Sequence, residues 1–249
     1  MTDDELLEVL YEAAAAVRAA LDALDDWGSA GTSKVGQYNS DLVADDAAVG
    51  VLERAGLGVL SEETGVHHPD RPLQVVLDPV DGSTNASRRL PWFATSLCVL
   101  DDDGPRAAVV VNQATGERFD ACRGGGARRN GGPLAPTACD DMADAVVGLA
   151  GWPASHLGWR QMRVLGAAAL DLCAVAAGQL DAYIDCSVGA HSPWDYLGGV
   201  LVCREVGAPV VDAAGRELVV RGFADRRVPV AAATPALLDQ ALRAWSTLA

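Results

Sequence analysis

Apolar residues at Leu6, Leu7, Leu10, Val17, Leu21 and Leu24 recur at helical spacing, which predicts an amphipathic first helix over 3–25. Thr2 and Glu5 are set as a capping box ahead of it, and Gly28 lies just past its end. A Gly/Ser/Thr-rich loop over 28–40 leads into DLVADDAAVGVLERAG, which predicts a short segment and then a helix closing at Gly56. GLGVL reads as a buried strand running straight into Ser61, Glu62 and Glu63. PLQVVLDPV and FATSLCVL are apolar runs of strand length, and RAAVVVNQATGERFDACRG predicts a hairpin turning at Ala-Thr-Gly. Asn130-Gly131 is a second strong hairpin turn.

From about residue 133 the pattern changes to VVGLAGW, a helix over roughly 162–178, the strand DAYID and the helix PWDYLGGVLVCREVGA. A hairpin in APVVDAAGREL, the strand VPVAAA and a last helix complete the chain. Alternating strands and helices in both halves predict a layered α/β architecture. A boundary near 130–145 would separate an N-terminal α+β part, 1–135, from a C-terminal α/β part, 136–249.

Half of the 249 residues are hydrophobic, enough for a sizeable core. The balance of 19 basic against 34 acidic residues gives a net charge of −15, which works against nucleic acid or anionic membrane as partners, so a phosphorylated ligand needs local attraction. Cysteines 98, 122, 139, 173, 186 and 203 form no CxxC pair and fall mostly in apolar stretches, the pattern of reduced thiols in a cytosolic setting. The acidic start MTDDELLEVL does not read as a signal peptide, and no uncharged apolar run is long enough for a membrane span. The expectation is a soluble, cytoplasmic protein. Lys34 follows serine, which excludes a Walker A loop.

The stretch LDPVDGSTN, 77–85, ends an apolar run in two aspartates. Asp78-Pro79-Val80-Asp81 is good type I turn chemistry, and such a turn would aim both carboxylates at the same space. Alone, it is equally well a plain turn with Ser83 or Thr84 capping the next helix. Glu62 and Glu63 also lie just past an apolar strand, and Asp195 begins a helix in SPWDYLGGVL, where it also fits as the capping partner of Ser192. Carboxylates gathered at one crevice repel one another and stay ionised only around cations. All-oxygen ligands select hard cations, Mg²⁺ first. Gly82 permits close backbone approach, and the N–H groups of Ser83 and Thr84 at a helix start suit a phosphate.

LDPVDGSTN, with SEE upstream and PWDYLGGVLVCREVGA downstream, resembles the inositol monophosphatase family of Mg²⁺-dependent phosphatases, and the likeness extends through DLVAD and MRVLGAAALDLCAVAAGQLDAYID. It implies a layered αβαβα sandwich, two or three Mg²⁺ ions, a homodimer, lithium sensitivity and a small phosphorylated metabolite as substrate, inositol monophosphate first. Histidinol phosphate, fructose bisphosphate and phosphoadenosine phosphate are alternatives, as is a catalytically silent sensor of a phosphometabolite. By the resemblance, Glu62, Asp78 and the carbonyl of Val80 hold one metal, Asp78, Asp81 and Asp195 surround a second, and Glu63 is a neighbour acting through water. Ser83 takes the place of a threonine that helps activate the attacking water together with an upstream aspartate, Asp45 or Asp46, with Asp45 favoured. Gly166, Ala167 and Ala168 align with the substrate-side loop. Asp185 stands where the inositol enzymes carry a glutamate that contacts substrate hydroxyls, and His191 is displaced from the family's position. Arg88 and Arg89 are either a grip for a second phosphate or surface charge.

Overall fold

The structure, a computed structural model, describes residues 1–31, 37–187 and 191–248. Lys34 therefore lies outside the described residues. Helix α1 (Asp3–Asp22) opens on the expected capping box: Glu5 N donates to Thr2 Oγ1 at 3.2 Å and Thr2 N to the Glu5 carboxylate at 2.8 Å. Its buried side is the predicted leucine and valine stripe. Helix α2 (Asn39–Arg54) ends just before Gly56, whose φ of +80° turns the chain into the first strand.

Strands β1 (Gly58–Ser61), β2 (Gly65–His67) and β3 (Gln74–Asp81), the short helix α3 (Ser83–Ser87), and strands β4 (Ala94–Asp101), β5 (Gly104–Asn112), β6 (Arg118–Cys122), β7 (Gly126–Arg129) and β8 (Gly132–Pro133) come next. The eight strands form one sheet in the order β2-β1-β3-β4-β5-β6-β7-β8. Among the described residues of this sheet only β1 and β3 pair in parallel; both predicted hairpins, at 113–117 and at Asn130-Gly131, join antiparallel neighbours. Strands β9 (Val146–Ala150) and β10 (Gln161–Arg163), helix α4 (Ala168–Ala176), strand β11 (Ala182–Asp185), helix α5 (Pro193–Glu205), strands β12 (Val210–Asp212) and β13 (Pro229–Ala232), and helix α6 (Pro235–Trp245) complete the chain. Their five strands form a second sheet ordered β10-β9-β11-β13-β12.

Three cores stack through these layers. Leu6, Leu10 and Leu21 of α1 and Leu52 of α2 meet one face of the large sheet at Val75, Leu77, Val99 and Val109. Helices α4 and α5 fill the space between the two sheets, touching Val76, Cys98 and Val110 on one side and Tyr183 and Ala231 on the other. The far face of the small sheet packs against α6 through Leu149, Ile184, Val230, Leu237 and Leu238. The order of layers is αβαβα, as the resemblance implies. Among the described residues no helix is long and apolar enough to cross a membrane, and all six cysteines are free thiols.

Three expected elements differ. The single helix over 162–178 is instead β10 followed by α4, because Gln161–Arg163 pairs in parallel with β9 and Gly166, at φ +87°, interrupts the chain between them. The hairpin in APVVDAAGREL is only a turn: Asp212 O accepts from Gly215 N, but β12 pairs with β13 rather than with 216–218. Asp78-Pro79-Val80-Asp81 is not a turn either, and that difference shapes the site.

Candidate active site

β3 runs on through Pro79 to Asp81, and its register against β4 shifts between Asp78 and Asp81: Asp78 pairs with Ser96 and Asp81 with Ala94, so three steps on β3 match two on β4. In a regular strand, residues an odd number apart point to opposite faces. The extra residue of this bulge puts both carboxylates on the same side. Pro79 fits because β1 stops pairing with β3 at Leu77, so no partner needs its missing N–H there.

Glu62 follows β1, and its amide donates to Leu77 O at 3.1 Å, which seats it beside the end of β3. Asp195 comes from the first turn of α5, where its Oδ2 accepts from Ser192 N at 2.7 Å. The cap is therefore formed, and a capping carboxylate keeps its second oxygen for other use. One ligand atom each from Glu62, Asp78 and Asp195 lies within 4.8 Å of the others. Asp81 adjoins this cluster, with Oδ2 accepting from Ala169 N at 2.7 Å.

The electrostatics are those of negative charge confined without a counterion. Burial, then the charges of Asp195 and Glu63, push Glu62 up to about 8. Burial, then Glu62, Asp81 and Asp195, hold Asp78 well above the usual carboxylate range. Asp81 is driven the same way by burial and by Asp195. Asp195 rises to about 6 through burial, moderated by the positive pull of His191. Four carboxylates that resist ionisation together, all oxygen donors and all facing one cavity, fit a hard divalent cation.

The cavity has a volume of about 340 Å³ and is lined by all four carboxylates together with Val80, Gly82, Ser83, Gly166, Ala167 and Ala168. Val80 N donates to Asp78 Oδ1 at 2.9 Å, and its carbonyl accepts from Ser83 Oγ at 2.9 Å. Gly82 sits at φ +89°, and a Cβ there would lie 3.0 Å from Gly166 O and 3.2 Å from Trp92 O. No other residue allows both that conformation and that approach. Asn85 fastens the same contact, its Nδ2 donating to Trp92 O and to Leu165 O at 2.7 Å each. Thr84 is exposed and does not line the cavity.

Two expected placements are corrected. Asp45, the favoured partner of Ser83, is instead bonded to the hydroxyls of Ser61 and, at 2.7 Å, Thr64, while Asp46 is exposed. The aspartate beside Ser83 is Asp41. Burial raises it to about 6; the Tyr38 amide and the Ser83 hydroxyl pull it down, and the nearby charge of Glu63 pushes it up. Asp41 and Asp45 are one helical turn apart on the same buried face of α2, so spacing alone cannot choose between them. Glu63 accepts a hydrogen bond from Gln37 and does not line the cavity.

Asp185 does not line the cavity either. It is fully buried, with Oδ2 at 2.7 Å from His191 Nδ1, and His191 takes the cavity-facing position. Burial disfavours the charged imidazole, but the hydrogen bond and charge of Asp185 raise His191 overall. The sequence reading missed Asp171 as well, a buried cavity residue whose Oδ1 accepts from Trp92 Nε1 at 2.9 Å. Its place inside the apolar run AALDLCAVAA was the available signal, since a lone carboxylate there needs a partner. Arg88 and Arg89 are exposed, neither lines the cavity, and Arg89 stacks over Trp27 at 3.9 Å.

Fold and site together define a layered αβαβα protein that gathers four buried or half-buried carboxylates in one cavity lined from both sheets. The model of the inositol monophosphatase family matches residues 3–247, and the chain belongs to that family. It is 31% identical over 196 residues to a fructose-1,6-bisphosphatase of Pyrococcus furiosus, covering 77% of this chain and 76% of that protein. Against the Nus factor SuhB of Escherichia coli K12 it is 35% identical over 173 residues, 63% of each chain. The structure of an inositol monophosphatase from Anabaena matches with a TM-score of 0.81 at 23% identity, covering 99% of this chain and 97% of that one, a likeness of fold.

Proposed function

We propose that the protein is a Mg²⁺-dependent phosphomonoesterase that hydrolyses a small phosphorylated metabolite, inositol monophosphate foremost. The observation that carries this reading is the convergence of Glu62, Asp78 and Asp195 within 4.8 Å in a cavity that Asp81 and Ser83 share. Glu62, Asp78, Asp81 and Asp195 would hold the cations. Bound there, Mg²⁺ would offset the carboxylate repulsion, attract the phosphoryl oxygens and acidify water.

The chain's own residues supply positioning and proton transfer. Ser83 Oγ, its hydroxyl turned from the Val80 carbonyl to Asp41, accepts a proton from the attacking water as its own passes to the Asp41 carboxylate, a group that burial raises to about 6. The new P–O bond forms as the ester P–O bond breaks on the opposite side, and the leaving alcohol oxygen takes a proton from solvent. The Gly82 turn, packed against Gly166, and the Gly166–Ala168 segment would set backbone along the cavity wall beside the phosphate.

A bisphosphate is the second reading, supported by likeness to the Pyrococcus enzyme. Against it, no arginine or lysine among the described residues lines the cavity, so a second phosphate would lack a cationic partner. A phosphate-release panel of inositol 1-phosphate, histidinol phosphate, fructose 1,6-bisphosphate and 3'-phosphoadenosine 5'-phosphate, with and without Mg²⁺, tests this. Mg²⁺-dependent release led by the monophosphates is expected. Release from none of them would favour a phosphometabolite sensor that keeps the cage without turnover.

A further inference from the structure

The bulge that brings Asp78 and Asp81 to one side is held from the far face of the large sheet. Asp78 pairs with Ser96 and Asp81 with Ala94, so Pro79 and Val80 together lie opposite the single residue Thr95. Such a bulge interrupts the ladder, and side chains here bond to its backbone. Val80 N donates to Asp78 Oδ1. Pro79 is served by Thr95, whose Oγ1 donates to the Pro79 carbonyl at 2.9 Å in a fully buried setting. Along β4, Ala94 and Cys98 pack with α4 and α5 while Phe93 and Val99 pack with α1 and α2, and Thr95 shares the face of the second pair.

The Thr95 hydroxyl is aimed in turn. Gln113, buried just after β5, donates from Nε2 to Thr95 Oγ1 at 2.8 Å and to Ala14 O of α1 at 3.0 Å, and its backbone N donates to Phe93 O at 3.0 Å. Ala14 and Pro79 offer only carbonyl oxygens, so the direction of every bond in this chain is fixed: Gln113 gives one hydrogen to each partner, and the Thr95 hydrogen goes to Pro79. Arg18 Nη1 donates to Gln113 O and ties the brace to a second point on α1. In this apolar layer no water replaces a lost partner, so without the hydroxyl the Pro79 carbonyl would be unpaired and the bulge free to shift. Mg²⁺ demands near-ideal octahedral geometry, which makes its binding sensitive to small shifts of Asp78 against Asp81.

We propose that Thr95 and Gln113 are positioning residues for the cation site: they brace the bulge from α1, so the placement of Asp78 against Asp81, and with it Mg²⁺ affinity, is set from outside the cavity. This rests on the cation-binding reading above.

Isothermal titration of Mg²⁺ into the unmutated protein, Thr95→Val, Thr95→Ser and Gln113→Met, without substrate, tests this. Thr95→Val keeps the shape of the side chain and removes the hydroxyl, and it should weaken Mg²⁺ binding about tenfold. Thr95→Ser keeps the hydroxyl and loses a methyl; it should bind Mg²⁺ within about twofold of the unmutated protein even where its melting temperature is lower. Gln113→Met should weaken binding by a smaller factor, and it decides the matter if Thr95→Val does not fold. In phosphate release, the half-saturating Mg²⁺ concentration of Thr95→Val should rise in parallel, with kcat at saturating Mg²⁺ changed less. Unaltered Mg²⁺ affinity in the deciding variant, or an equal loss in Thr95→Val and Thr95→Ser, would reduce the brace to a matter of stability and overturn the inference while leaving the cation site intact. Failure of the unmutated protein to bind Mg²⁺ would remove the cation-binding reading and this inference with it.

Discussion

The amide of Ala169 donates to Asp81 Oδ2 across 2.7 Å, joining residues 88 positions apart. That amide belongs to the first turn of α4, where N–H groups have no partner within the helix. A carboxylate of the large sheet supplies one, so the helix that fills the middle layer also aims a carboxylate that lines the cavity.

Asp81→Asn preserves an oxygen for the Ala169 amide and removes the charge. The fold should survive with its melting temperature little changed, while Mg²⁺-dependent phosphate release falls by at least about 10². Release near the unmutated rate would remove Asp81 from the cage.

Asp41 and Asp45 should separate cleanly. Asp41→Asn, beside Ser83, should cut kcat by about 10²–10³ with little effect on melting. Asp45→Asn weakens the bonds to Ser61 and Thr64 and should lower stability by about 1–3 kcal/mol while leaving most of kcat. Steady-state kinetics and thermal melts on both variants check this, and the reverse pattern would restore Asp45.

Mg²⁺ should stabilise the protein, because a ligand that binds the native state alone adds RT ln(1 + [L]/Kd). Scanning calorimetry with millimolar Mg²⁺ against a chelator should show a rise of several degrees, and Asp195→Asn should abolish most of it. No rise in the unmutated protein would argue against a cation site.

Asp171 predicts a pH dependence. Burial raises it from 3.8 to about 7, only partly opposed by the Trp92 hydrogen bond and the charge of His191. The folded state then holds a proton that the unfolded state has released, so this contribution is complete below about 3.8 and is lost as pH rises through about 7. Asp171→Asn keeps an acceptor for Trp92 and cannot ionise. Melting temperatures between pH 5 and 8.5 should fall less steeply in the variant than in the unmutated protein; parallel curves would show that Asp171 does not titrate there.

Much of the fold was legible because its cues are local. The Thr2–Glu5 box, the leucine stripe of α1, the Asn130-Gly131 turn and Pro193 at the start of α5 each act within a few residues. The long helix expected over 162–178 failed because AAALDLCAVAA and the preceding apolar residues carry no period that separates strand from helix. Pairing of Gln161–Arg163 with β9 settled it.

By itself the sequence determined which groups were available: carboxylates at the ends of apolar runs, a glycine where the chain must turn, and a family pattern that names them. Tertiary structure alone decided which of them meet. The β3 bulge brings Asp78 and Asp81 to one side, the rotation of α2 sets Asp41 rather than Asp45 against Ser83, and the packing of β11 behind α5 leaves Asp185 buried and His191 facing the cavity. Those outcomes depend on register, rotation and depth, which contacts between distant segments fix and local sequence does not encode.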